Sequence, residues 1–327
     1  MQQGATERAF RRILSIDGGG IRGIIPALVI AELEQKTGEA AADLFDLIVG
    51  TSTGGVLALG LSLKDQTGSP LFTAEKMVDL YEQDGAQIFE QSLWRKLRSA
   101  GGLLEEAYSH EALEQILQKH FADQSLEDCT IPTMVTSYDI QNRGAVFLKS
   151  WHHEHKQLLC RDAARATTAA PTYFEPMSLQ FADQSKTLID GGVFVNSPAV
   201  SAYAEATKLF PDEPIAMLSL GTGDLTRAIP YEEARTWGSA LWVMSILDCM
   251  FDGASKAADY QMQCFLGQYY LRLQAPLHYA SDDMDDASRG NIRNLKQTAK
   301  ELITMNTKAL QWFATGLDSG ATMDEYE

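Results

Sequence analysis

Ser52 lies in Gly50-Thr51-Ser52-Thr53-Gly54, directly after the short apolar run Leu47-Ile48-Val49. A G-x-S-x-G placed between a strand and a helix holds its serine on a tight turn with the hydroxyl exposed, ready to act as a nucleophile. Some thirty residues earlier a second apolar run, Ile13-Leu14-Ser15-Ile16, leads into Asp17-Gly18-Gly19-Gly20-Ile21-Arg22-Gly23. A glycine run after a strand can aim backbone N–H groups at an anion. A nucleophile together with an anion-stabilising loop argues for acyl transfer to water. In that chemistry the N–H groups of Gly18, Gly19 and Gly20, joined by that of Thr53, face the developing oxyanion. Arg22 either steadies that anion or pairs with Asp17.

A serine nucleophile needs a base. In the Ser…Asp/Glu…His order of α/β-hydrolases, His278 is the histidine downstream of the last plausible acid, and it sits in a loop without a strand before it. The other candidate is Asp190, which follows Thr187-Leu188-Ile189 and precedes Gly191 and Gly192. A carboxylate acting directly on the serine requires no histidine. His152-His153-Glu154-His155 has metal-ligand residue types, but adjacent histidines on a loop read as a solvated surface. Gly18-x-Gly20-x-x-Gly23 also matches a dinucleotide fingerprint, which wants an acid at the end of a second strand. Glu39 and Asp43 fall before that strand, so a nucleotide-binding protein without hydrolase chemistry is the weaker reading.

Taken together, Asp17-Gly-Gly-Gly-Ile-Arg22-Gly23, Gly50-Thr-Ser52-Thr-Gly54 and Asp190-Gly-Gly192 resemble the patatin-like phospholipase family in residues, order and placement after strands. The resemblance runs from about Arg12 to the helix near Phe313 and is firmest up to Gly192. It implies a three-layer α/β/α fold around a central, mostly parallel sheet. It implies a lipid acyl hydrolase of phospholipase A type that uses a serine–aspartate dyad and an acyl-serine intermediate. Ser52 is then the nucleophile, Asp190 its base, and Gly18 to Gly20 with Arg22 the oxyanion hole, with no metal or organic cofactor. The resemblance also admits a gated effector of the bacterial toxin or anti-phage kind, inactive until an activating ligand or protein binds.

Short strands alternating with helices must position these residues, and that pattern predicts a mostly parallel sheet covered on both faces. Helices are expected over Ile24 to Thr37 and from Gly55 through Leu61, strands over 132–138, 144–149, 187–189 and 215–220, and helices again from Tyr231 to Phe265 and Asn291 to Phe313. Residues 73–120 read as a helical, lid-like insertion broken at Gly101-Gly102. The sequence therefore divides into one domain over 1–313 and an acidic tail over 314–327, expected to fray. Trp237, Leu241, Trp242, Met244 and Phe251 either line an acyl channel or touch a membrane. Leu93, Trp94 and Leu97 among Arg95, Lys96 and Arg98 form a basic, apolar patch suited to interfacial contact.

The chain has 327 residues, a formal charge of −17 and 45% hydrophobic residues. That charge argues against nucleic acid as a partner and gives no attraction to anionic membranes. The expected partner is a lipid or phospholipid substrate at a membrane surface. Four scattered cysteines without a C-x-x-C, and no apolar leader or spanning segment, fit a reduced protein in the cytoplasm, peripheral at membranes. Oligomeric state is not legible.

Overall fold

The computed structural model describes residues 9–88, 110–181 and 184–319. Gly101-Gly102, the patch around Trp94 and the last eight residues of the tail lie outside the described residues, as does the side chain of Met244.

The core is a sheet of eight strands. They are β1 (Arg11–Ile16), β2 (Leu47–Thr51), β3 (Thr133–Asp139), β4 (Gly144–Lys149), β5 (Met177–Gln180), β6 (Ser185–Asp190), β7 (Ile215–Leu220) and β8 (Tyr270–Leu273). Their order is β5-β6-β3-β2-β1-β7-β8, with β4 also paired to β3. The run β3-β2-β1-β7-β8 is parallel, whereas β4 and β6 pair antiparallel to β3, and β5 pairs antiparallel to β6.

The helices used below are α1 (Ile24–Thr37), α2 (Thr53–Ser62), α3 (Ala74–Gln83), α4 (His110–Phe121), α5 (Cys160–Thr167), α6 (Ala199–Leu209), α7 (Ser239–Leu266) and α8 (Arg289–Met305). The sheet separates two cores, because successive strand side chains point to opposite faces. Leu14, Ile16, Ile48 and Leu218 pack toward α1, α2 and α8. Ile13, Leu47, Val49 and Met217 pack with Ala199, Ala202 and Ala206 of α6 and Met262 of α7. Both faces of the parallel strands are covered, which explains their unbroken apolar runs. The result is the three-layer α/β/α arrangement.

The helix α2 is buried at every position, so it crosses the core. Helix α3 packs beside it and rests on α1, and α4 rests on α5. Each is amphipathic, with Met77, Val78, Leu80 and Tyr81 of α3 and Leu113, Ile116 and Leu117 of α4 turned inward.

The structure differs from the sequence reading in three places. The strands β5 and β8 are present in segments without a strand signal. The strand before Asp190 runs against its neighbour rather than with it. Packing also extends past Phe313: Leu317 is buried and Asp318 pairs with the buried Arg12 at 2.7 Å, so the chain is anchored at least that far.

Candidate active site

Ser52 sits between β2 and α2 with φ 54° and ψ −123°. A non-glycine residue in that region is strained, and such strain persists only where neighbours over-determine it. Here the carbonyl of Ser52 accepts from Gly55 and Val56 in the first turn of α2. Its N–H donates to Thr167 Oγ1 at 2.9 Å, and Thr167 in turn donates to the Thr136 carbonyl at 2.6 Å. A Cβ at position 50 would collide with the Gly54 carbonyl, so glycine is needed where the turn closes on itself.

Sheet register brings Asp190 to the same place. Thr51 lies opposite Thr136, and Asp190 lies opposite Ser137, the next residue along the same edge of β3, because β4 occupies the other edge. Only the last three residues of β6 pair with the last three of β3, so β6 overhangs and its end meets the C-terminal edge of the parallel strands. There the Asp190 carboxylate is 3% exposed and accepts the Gly192 N–H at 2.7 Å, and Asp190 and Ser52 line the same cavity. Burial pushes its pKa up to about 6, while the nearby Ser52 hydroxyl and the Gly192 N–H pull the other way.

The glycine loop completes the floor. At Gly20, with φ +58°, a side chain would strike the Met284 carbonyl. Two of the residues expected to face an anion are otherwise engaged. The Gly18 N–H donates to the Asn196 carbonyl at 3.1 Å. Arg22 is buried and donates to the carbonyls of Gly19 and Asp282, at 3.3 and 3.2 Å. Its guanidinium therefore clamps the loop, and burial draws its pKa down. The N–H groups of Gly19, Gly20 and Thr53 make no hydrogen bond among the described residues, and all three residues line the cavity containing Ser52.

Asp17 does not pair with Arg22. Its carboxylate is held by both terminal nitrogens of Arg272 on β8, at 3.0 and 2.6 Å, and one of those nitrogens also reaches Ser219. Neither Arg272 nor Thr167 stands out in the sequence. Each sits in a short element away from any glycine motif, and only the fold brings it to the site.

From Ser52 the cavity extends between α2, α3 and α4. Its walls are mostly apolar, with Val56, Leu80, Leu113, Ile116, Leu117 and Phe174 among them. The residues read as an insertion thus form one wall of the cavity. Tyr81 packs there with its hydroxyl on Thr53, 2.6 Å from Oγ1 and 3.1 Å from the carbonyl oxygen. Of the aromatic and apolar group on α7, Phe251 reaches this cavity, while Trp242 faces solvent with its ring edge against Trp237.

Other expected groups fall elsewhere. His278 is exposed, contacts Tyr279 and does not line the cavity. The histidine that does line it, His120, has Nε2 2.6 Å from Asp84. Glu39 and Asp43 lie beyond the far end of α1, about 20 Å along the helix from the glycine loop. His152, Glu154 and His155 bring one ligand atom each within 4.8 Å of one another. Lys149 and Lys186 stand near them, and burial and these charges push the pKa of His155 down to about 4. A cation there would meet two ammonium groups.

The family model for patatin-like phospholipase matches residues 14–203, more than half of the chain, and includes Ser52 and Asp190. The chain belongs to the patatin-like phospholipase family. Patatin from Solanum tuberosum is 32% identical over 328 aligned residues, covering 89% of this chain and 83% of that protein. Patatin-17 from Solanum cardiophyllum is likewise 32% identical, over 329 residues and the same shares. Among solved structures, a human GIVD cytosolic phospholipase A2 aligns over 94% of this chain and 60% of its own, with TM-score 0.49 and 11% identity. Among the described residues of this patatin-like chain, no helix is long and apolar enough to cross a membrane.

Proposed function

We propose that this protein hydrolyses fatty-acyl esters of lipids, with Ser52 as nucleophile and Asp190 as its base. The observation that carries the reading is that the strained Ser52 and the buried carboxylate of Asp190 line one end of the same apolar cavity. Membership of the patatin-like phospholipase family supports the substrate class.

Ser52 Oγ attacks the ester carbonyl carbon as its proton passes to Asp190. The N–H groups of Gly19, Gly20 and Thr53 receive the oxyanion; one such donor is typically worth about 3–4 kcal/mol. The C–O bond to the alcohol then breaks, and the leaving oxygen takes the proton from Asp190. Water attacks the acyl-serine, Asp190 accepts its proton, and return of that proton to Ser52 frees the fatty acid. Arg22 and Arg272 act by positioning the glycine loop. The apolar walls take the acyl chain, whose burial supplies binding energy away from the reacting bond.

The test is release of fatty acid from mixed phospholipid vesicles by the wild type, Ser52→Ala and Asp190→Asn. Both variants are expected to fold and to lose activity by at least about a thousandfold. Substantial turnover by folded Ser52→Ala would falsify the assignment.

A further inference from the structure

Helix α7 is apolar on the side that should be polar. Its inner side packs on α6 and on the turn after Asp190 and includes the buried Ala258 and Met262. Its outer side carries Trp242, Ile246, Met250, Gly253, Ala257 and Tyr260, all exposed and none charged. Trp242, Ile246 and Met250, spaced i, i+4 and i+8 on one face, are 38, 44 and 45% exposed, and Tyr260 is 72% exposed. A helix apolar on both sides is one whose outer side becomes covered.

What covers it follows from where it lies. Phe251, on the opposite side of the same helix, enters the Ser52 cavity. Leu241 and Ser245 share a depression with Tyr173 and Met284, and those two residues also line the cavity. The apolar stripe thus runs alongside the region where the cavity meets the surface. Trp242, and Tyr231 on the short turn before α7, have the amphipathic rings that favour a membrane–water boundary.

The charges near the stripe are largely acidic. Asp248 and Asp252 lie on α7 itself, and Glu232 and Glu233 sit on the preceding turn. Arg227 is engaged with Asp248 and Asp283, Arg235 with Glu232, and Lys256 with Asp252. An anionic surface would be repelled. Resting on the lipid-hydrolase reading above, we propose that the outer side of α7 docks the enzyme on lipid surfaces without net charge, inserting Trp242, Ile246 and Met250 so that the cavity opens toward the lipid. Attachment is hydrophobic, so it tolerates salt and is weakened by anionic lipid.

The experiment is flotation with phosphatidylcholine vesicles, using Ser52→Ala so that the surface stays intact, with and without Trp242→Ser/Ile246→Ser/Met250→Ser. In parallel, the triple variant with Ser52 retained is assayed on a monomeric short-chain ester. Expected results are binding that persists at ~1 M salt, where the Debye length is about 3 Å, and binding that declines as anionic lipid is added. The triple variant should bind about tenfold or more weakly while cleaving the monomeric ester at the wild-type rate. Equal binding with and without the triple substitution overturns the proposal. So does a parent protein that stays off the vesicles and forms a dimer that the substitutions dissociate, which would make the stripe a subunit interface. Flotation lost on substitution, in a protein whose wild type cleaves no ester, supports the docking surface and counts against the hydrolase reading alone.

Discussion

Arg272 grips Asp17 across 255 positions of sequence, closing both terminal guanidinium nitrogens on a carboxylate that solvent barely reaches. The pair fixes the point where β1 becomes the glycine loop. Removing one member leaves the other charged and buried without a partner. Arg272→Met is therefore expected to cost about 3–5 kcal/mol of stability and to lower kcat. Urea unfolding reads the first and steady-state kinetics the second. A loss below about 1 kcal/mol would show that water reaches the pair.

The pKa of Asp190, raised to about 6, sets two opposite pH responses. As the base it must be ionised, so kcat/KM should rise through about pH 6 with the slope of one proton. Stability moves the other way. A carboxyl raised from 3.8 favours the folded state at low pH, and that contribution is lost as pH rises through the folded pKa. The loss is on the order of 3 kcal/mol. Thermal melts of wild type and Asp190→Asn across pH 4 to 8 check the sign: the variant should gain on wild type between about pH 4 and pH 6 and keep that margin above it. Parallel curves would contradict it.

Thr167 supports the strained serine from behind. Thr167→Val keeps the shape but leaves the Ser52 N–H and the Thr136 carbonyl without that hydroxyl. A cost of about 1–3 kcal/mol in stability is expected, with a fall in kcat exceeding any rise in KM. A variant altered in KM alone would mean that the elbow holds itself.

Leu117 lies on the wall that α4 contributes. Leu117→Trp should shorten the cavity and shift preference toward shorter acyl chains. Each methylene excluded is worth about 0.8 kcal/mol, roughly fourfold in kcat/KM. Rates over a series of p-nitrophenyl esters provide the readout, and an unchanged chain-length profile would place the acyl chain elsewhere.

The motifs were legible because they are local. Strand, glycine turn and helix at Ser52 occupy consecutive residues, and the same holds for Asp17 to Gly23. Register was not legible: Asp190 reaches Ser52 because β6 pairs with β3 only over its last three residues, which depends on chain far from either motif. The strand β8 is four residues long and follows a long helix, too short for period-two patterning to register, so nothing local marks Arg272 as the partner of Asp17. The anion loop was over-assigned for a related reason. A glycine run shows that N–H groups are accessible but not which already have acceptors, and the Gly18 donor is used by Asn196.

The pairing of β1 with β7 bears on where this protein can be cut. The segment that matches the family, residues 14–203, ends before β7 and β8. A fragment trimmed to those limits would begin inside β1, expose that strand as an unpaired edge open to intermolecular pairing, and leave Asp17 without its counter-charge. The stretch matched by the family model is thus smaller than the unit that covers β1 and pairs Asp17.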